Sequence, residues 1–547
     1  MSLKKDSLIK GTIILAAAAL IARFLGIFQR VPLDYMLSKD GGAYFTAANN
    51  IYLLLLVIAT GGIPSTISKM VSERYAQGRI GEARQIYRAA VFFGIGTGIV
   101  ISIVLYWTAP FIAATFSRLP GAATAIRAIA PALLLFPAIA MMRGYFQGRQ
   151  LMTAGGVSQV IEQILRVIVG VGLALLVLSW GYGDEWVAAA ATFGSVLGSV
   201  GAFLVMLWYA FRLRRQDAAE PPFPQTADKS KRLRLRSIYG EIFRMSVPIV
   251  LTAVTVQFFY TFDTFFFIRM TEGYYALGEA KSALDVLGIK AQAIAGIPPI
   301  LAVALSQSII PVISSAYAVG NLDEVRRQTS LVMRIVLFTG VPAALALTVA
   351  APSVTGLIYT PGGSGVVAAL TAGTIFQITM MTTNSILFGL GKARQAMYHT
   401  VTGMLVKAGL SVALGPVLGV YGLIAASTVS FILITWLNVA SVRKAAAVSV
   451  LGSRWVPYLA AVALTAAAGR AVDSAGLRLL EALPYKLASL ITAAVATMVI
   501  GGLYLILLAV LGVVRREDAA SFPGPLRKLF TALSRLRPDK KNVAGRL

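Results

Sequence analysis

"SERYAQGRIGEAR", Ser72 to Arg84, reads as a polar loop until the chain is searched for it again. At Ser314 to Arg326 stands "SSAYAVGNLDEVR", 242 residues further on (314 − 72). Seven positions agree: Ser, Tyr-Ala, Gly, an Ile/Leu-type apolar residue, Glu and Arg. At the same offset Ala109-Pro110 meets Ala351-Pro352. A connector written twice at a fixed offset implies two related halves.

Composition says where those halves reside. The 547 residues are 57% hydrophobic and only 13% charged, with a mean hydropathy of +0.76. A soluble domain carries roughly 25% charged residues, so the chain is too apolar for water. Apolar runs of about 20 residues, enough to cross a ~30 Å hydrocarbon core, recur from end to end. A formal charge of +26 would suggest nucleic acid in a soluble protein, but here the basic residues sit mostly in loops between apolar runs. Membrane topology explains them, and no nucleic-acid partner is expected. The absence of Cys removes disulfides and Cys-ligated metals. The first apolar run lacks a small-residue cleavage site before a polar segment, so it reads as a retained helix.

About fourteen spans follow from the hydropathy pattern. They lie near 8–31, 44–68, 88–114, 124–146, 153–179, 186–211, 240–269, 290–317, 329–358, 364–389, 395–417, 420–442, 454–473 and 487–513. Connectors alternate in charge: "KKDSLIK", "RGYFQGRQ" and "GKARQ" are basic, whereas "GYGDEW" and "YTPGGSG" are acidic or neutral. Under the positive-inside rule both termini face the cytoplasm. The repeated connector joins spans 2 and 3 in one half and spans 8 and 9 in the other. Six spans separate the copies, so the halves run in the same direction, a plan used by transporters that bind substrate between two lobes.

The expected fold is therefore an all-α polytopic membrane protein with two parallel six-helix lobes plus two C-terminal helices. Residues 1–211 form the N-lobe, 212–239 a basic cytoplasmic linker and 240–447 the C-lobe. Residues 448–514 hold the last two spans, and 515–547 a basic cytoplasmic tail suited to lying on anionic lipid.

Three stretches, "ARFLGIFQR", "ATGGIPSTISKMVSE" and "QSIIPVISSAYAVGNLDEVRR", carry a family resemblance. The chain resembles the polysaccharide-exporter and lipid II flippase branches of the multidrug/oligosaccharidyl-lipid/polysaccharide exporter superfamily, above all the stage V sporulation protein B-like branch. The resemblance covers essentially the whole chain. It implies a V-shaped pair of lobes around a central cavity, similar to multidrug exporters of that superfamily. It also implies outward movement of a polyprenyl-pyrophosphate-linked saccharide across the bacterial cytoplasmic membrane, in peptidoglycan or other cell-wall polysaccharide synthesis or in sporulation, without ATP.

Charged residues within spans are costly and usually face a cavity or a partner. At about 1.5 Å rise per residue, Arg23, Glu162 and Lys407 lie roughly 15–22 Å from the cytoplasmic helix ends. Glu162 and Arg166 share a helix face, four residues apart. Arg30 lies a turn or two beyond Arg23, while Asp263 and Arg269 lie nearer the outer surface and Lys290 opens span 8. The balance of six cations against Glu162 and Asp263 calls for an anion. Guanidinium matches phosphate oxygens through paired donors. Arg23, Arg166 and Lys407 are thus the candidate diphosphate clamp, with Glu162 orienting Arg166. The competing assignments are snorkelling for Arg30, Arg269 and Lys290, and a structural bridge for Glu162–Arg166. Against the lipid II flippase pattern, Arg23 and Gly26 match the start of an Arg-x-x-Gly segment. Gln29 and Gln292 stand where further arginines are expected.

No nucleotide-binding Gly-x-x-x-x-Gly-Lys loop occurs, and no catalytic group, cofactor or metal is expected. His399, the only His, reads as interfacial packing. Gly/Pro interruptions such as "TGGIP" and "AGIPP" mark helix breaks. The expected partners are a lipid-linked anionic saccharide and the phospholipid bilayer, with H+ or Na+ as the candidate coupling ion. The alternative function is a multidrug cation antiporter coupled to H+ or Na+, for which Asp263 among aromatics is the supporting feature.

Overall fold

A computed structural model describes residues 8–219, 233–300, 319–445 and 450–514, with 309, 310, 312–314, 316 and 317. Residues 220–232 of the expected linker, and the tail from 515, lie outside the described residues, which are helical with short connections and contain no strand.

The first part of the chain forms α1 (Leu8–Met36), α2 (Lys39–Thr60), α3 (Ile63–Ala76), α4 (Ile80–Phe111) and α5 (Ala122–Ile129). It continues through α6 (Ala132–Gly148), α7 (Met152–Ser179) and α8 (Asp184–Ala219). Then come α9 (Leu235–Ala253), α10 (Thr255–Met270), α11 (Leu277–Asp285) and the short α12 (Gln292–Ala295). Beyond the repeated connector lie α13 (Leu322–Ile335), α14 (Val341–Val349), α15 (Ala351–Ile358) and α16 (Ser364–Gly389). The last four helices are α17 (Ala393–Leu418), α18 (Val420–Arg443), α19 (Trp455–Leu479) and α20 (Tyr485–Val510).

Among the described residues, eleven helical stretches are long and apolar enough to cross a membrane, or twelve with α9 and α10 taken as one span bent by 56°. These match twelve of the fourteen expected spans. The other two are the first, over which the 29-residue α1 runs, and 290–317, which falls partly outside the described residues. A count of fourteen is therefore not established. Large apolar side chains such as Trp107 and Phe92 are about three-quarters exposed (75% and 72%). In water such faces would be a liability; hydrocarbon is their natural solvent.

Two compact units result. One takes in 1–289 with 393–430, the other 290–392 with 431–547. In the first, Ile67, Met70, Ile86, Met142, Phe146, Met206 and Ile242 build a continuous core from α3, α4, α6, α8 and α9. In the second, Phe338, Tyr458, Tyr504 and Leu508 fasten the C-terminal helices α19 and α20 to the segment after α13.

The duplicated connector folds the same way in both places. Gly78 and Gly320 both adopt φ 71°, and helices restart two residues later, at Ile80 and Leu322. The amide of Arg79 donates to the Arg74 carbonyl at 2.8 Å and Gly78 to Tyr75 at 3.2 Å. In the second copy Asn321 donates to Ala316 at 3.0 Å and Gly320 to Tyr317 at 3.1 Å. This is one glycine-dependent helix stop used twice: only a residue without Cβ takes the left-handed position cheaply.

Candidate functional site

The α7–α8 hairpin supplies a rigid wall. Gly194 and Gly198 on α8 are spaced as small residues that let membrane helices approach closely. A Cβ at Gly198 would meet the Glu162 carbonyl at 2.7 Å and the Arg166 Cβ at 3.3 Å. α8 thus lies flush against α7 at the level of its two charged residues, which project on a common face because they are one helical turn apart.

On that face Glu162 is shared by two guanidinium groups. Its Oε2 accepts from Arg143 Nη2 at 2.9 Å, and its Oε1 from Arg166 Nη2 at 3.4 Å. Arg143, on α6, also donates to Ser158 Oγ through Nη2 at 2.9 Å. Arg166 donates to the Tyr52 hydroxyl, and its guanidinium lies 5.1 Å from the centre of the Tyr52 ring. Tyr52 is fully buried on α2 and packs edge-on against Phe136 at 5.7 Å. The Arg166 Nε is buried without a hydrogen-bond partner. Two cations and one anion therefore meet inside the first unit, from α6 and α7, with the Tyr52 hydroxyl of α2 beside them, leaving one positive charge and unused donor capacity.

Lys407 belongs to a different group. It is completely buried, with its Nζ 2.5 Å from Asp263 Oδ1 and 2.8 Å from the Leu423 carbonyl. The sequence reading joined Lys407 to Arg166 and Arg23 in one clamp; here it is an ammonium paired with the carboxylate of α10. Arg23 sits on α1, and its side chain lies outside the described residues. The neighbouring Ala22 carbonyl accepts from Gln163 on α7 at 3.0 Å, which brings this part of α1 beside the Glu162 turn.

Three further cations are placed elsewhere. Arg30 donates to the Gly288 carbonyl at 2.6 Å. Arg269 is exposed near the end of α10. Lys290 is buried and donates to the Thr360 carbonyl at 2.9 Å and hydroxyl at 2.7 Å, just past α15. Lys486 caps the same end, donating to the Tyr359 carbonyl at 2.6 Å, while Asp473 accepts from Ser353 at 2.5 Å, in the first turn of α15. A short helix with an anion at its start and cations at its end has charges that complement its dipole.

Arg143, Tyr52 and Ser158 were not singled out from sequence. Arg143 stands in "RGYFQGRQ", which reads as a basic connector, yet α6 continues to Gly148. The residue therefore lies more than a turn inside the helix. The missed signal is the helix-forming run from Ala138 through Arg143, which carries the helix on past Gly144.

These helices, their breaks and the intramembrane charges define a multi-pass membrane protein with the fold of the multidrug and lipid-precursor exporters. By fold, the chain resembles a solved lipid II flippase MurJ in an inward closed conformation, with TM-score 0.63 at 15% identity over 89% of this chain and 98% of that one. It also resembles an inward-facing multidrug resistance transporter of the MATE family, with TM-score 0.63 at 13% identity over 79% and 97%. The family described as "Polysaccharide biosynthesis protein" matches residues 8–317, more than half of the chain, and the protein belongs to that family. Among curated relatives, the lipid II flippase MurJ of Bacillus subtilis (strain 168) is 28% identical over 446 residues, covering 78% of this chain and 81% of that protein. Stage V sporulation protein B of the same organism is 25% identical over 451 residues, covering 82% and 85%.

Proposed function

We propose that the protein is a flippase that carries a polyprenyl-diphosphate-linked saccharide from the inner to the outer leaflet of the bacterial cytoplasmic membrane. The observation that carries this reading is the Arg143–Glu162–Arg166 group, a net cationic site on membrane-spanning helices. Two guanidinium groups offer paired donors of the geometry phosphate oxygens accept, and holding them in a membrane is costly without an anionic ligand to recognise. The similarity to a lipid II flippase and to a sporulation protein supports the same substrate class.

In this reading the basic connectors and both termini face the cytoplasm. Residues 1–211 and 240–447 act as two lobes, with 212–239 joining them and 448–514 appended. Arg143 and Arg166 take the diphosphate, with Arg23 of α1 as a further candidate, while the polyprenyl chain stays in lipid. An inside-negative potential favours outward movement of the anionic head group by about 2.3 kcal/mol per charge per 100 mV. Asp263, the carboxylate a cation antiporter would use, is already occupied by the Lys407 ammonium.

The test is reconstitution into liposomes holding a fluorescent polyprenyl-diphosphate saccharide, with an impermeant quencher reporting its arrival in the outer leaflet. Wild-type protein is expected to accelerate transfer, and Arg143→Ala and Arg166→Ala to slow it at least about tenfold. Transfer no faster than in protein-free liposomes overturns the reading.

A further inference from the structure

Glu162 is the only acidic residue among the polar partners described for Arg143 and Arg166, and it divides its two oxygens between them. The division is unequal: 2.9 Å to Arg143 and 3.4 Å to Arg166. Arg166 keeps a buried Nε without a hydrogen-bond partner, so a single carboxylate does not use all the donors that converge here. A ligand with more acceptor oxygens would.

A transporter passes through an empty state in every cycle. Two guanidinium groups without a counter-charge on membrane helices would make that state expensive. Bound substrate supplies the counter-charge in the loaded state, and something must supply it in the empty one. We propose that Glu162 is a placeholder for the substrate's anionic group. In the empty protein it neutralises Arg143 and Arg166; when the substrate arrives, its phosphate oxygens take over the guanidinium donors and the Glu162 side chain rotates away. Glu162 is then a positioning residue that sets a compromise: it weakens substrate binding and speeds release and return. This inference rests on the flippase reading above and adds a role for the carboxylate that the reading itself does not require.

The prediction separates affinity from turnover. Glu162→Gln keeps the shape and removes the competing charge, so it should bind a polyprenyl diphosphate in phospholipid nanodiscs about tenfold more tightly than wild type. Its transfer rate in liposomes should fall by a similar factor, with the apparent KM lowered along with kcat. Glu162→Asp, shorter by one methylene and unable to reach both guanidinium groups, should fall between the two. A purely structural bridge predicts the opposite: loss of binding and transfer together as the site loosens. If Glu162→Gln is recovered unfolded, Glu162→Asp carries the test alone. Binding by the variants that is unchanged or weaker, with wild-type binding intact, overturns the placeholder. Failure of the wild type itself to bind the probe overturns the flippase reading instead.

Discussion

Lys407 Nζ lies 2.5 Å from Asp263 Oδ1, and neither side chain is more than marginally exposed (0% and 6%). The partners are 144 residues apart in sequence, so the pair ties α17 to α10 across the first unit. Removing one partner strands the other charge. Lys407→Ala is expected to cost about 3–5 kcal/mol of stability, seen as a large drop in thermal unfolding temperature in detergent. The double variant Lys407→Met with Asp263→Leu should recover most of it. If the double variant is as unstable as the single one, the carboxylate is not what destabilises Lys407→Ala.

Gly198 holds α8 against the turn of α7 that bears Glu162 and Arg166. Gly198→Val places carbon where the Glu162 carbonyl stands and should displace both charged residues. Transfer is expected to fall at least about tenfold, since a 1 Å misplacement can cost 10²-fold. Gly172, whose added Cβ would meet nothing within 4 Å, is the matched control, and Gly172→Ala should transfer normally.

The twin helix stops make a symmetrical prediction. Gly78→Ala and Gly320→Ala each force a Cβ into the left-handed region at φ 71°, costing about 1–2 kcal/mol. Both should lower the unfolding temperature by comparable amounts. A neutral effect at either glycine would show that its turn relaxes to another conformation.

At the start of α2, Asp40 accepts from Lys281 of α11 at 2.7 Å. That hydrogen bond, more than the charge alone, raises the Lys281 ammonium above its ordinary value of 10.5. A raised cationic group contributes stability that is fully present below its unfolded value and lost as pH climbs through the folded one. Unfolding temperature should therefore fall on the alkaline side of 10.5 in a step that Lys281→Met removes.

Much of this architecture was legible because hydrocarbon imposes a simple rule, an apolar run of sufficient length. The repeated "YAxG" connector was readable to the residue, since a left-handed stop leaves its glycine in the sequence. Helix ends were less so. Hydropathy places the end of the sixth span near 211, but the helix of α8 continues past that point, where Asp217 is held by Arg149 at 2.6 Å; polar contacts favour a helix beyond the point where lipid stops doing so. Charge pairing was readable only within one turn, as for Glu162 and Arg166. The Arg143–Glu162 and Lys407–Asp263 contacts join different helices, and spacing along one chain carries no record of which helices meet.

The eight residues of α15 draw their terminal counter-ions from outside themselves: Asp473 from α19, Lys486 from α20 and Lys290 from the start of the eighth expected span. The closing pair of helices is thus no detachable appendix. A chain truncated before Trp455 would strip α15 of its acid and one of its two bases at a stroke. The damage would surface at the 359–363 loop, far along the sequence from the cut.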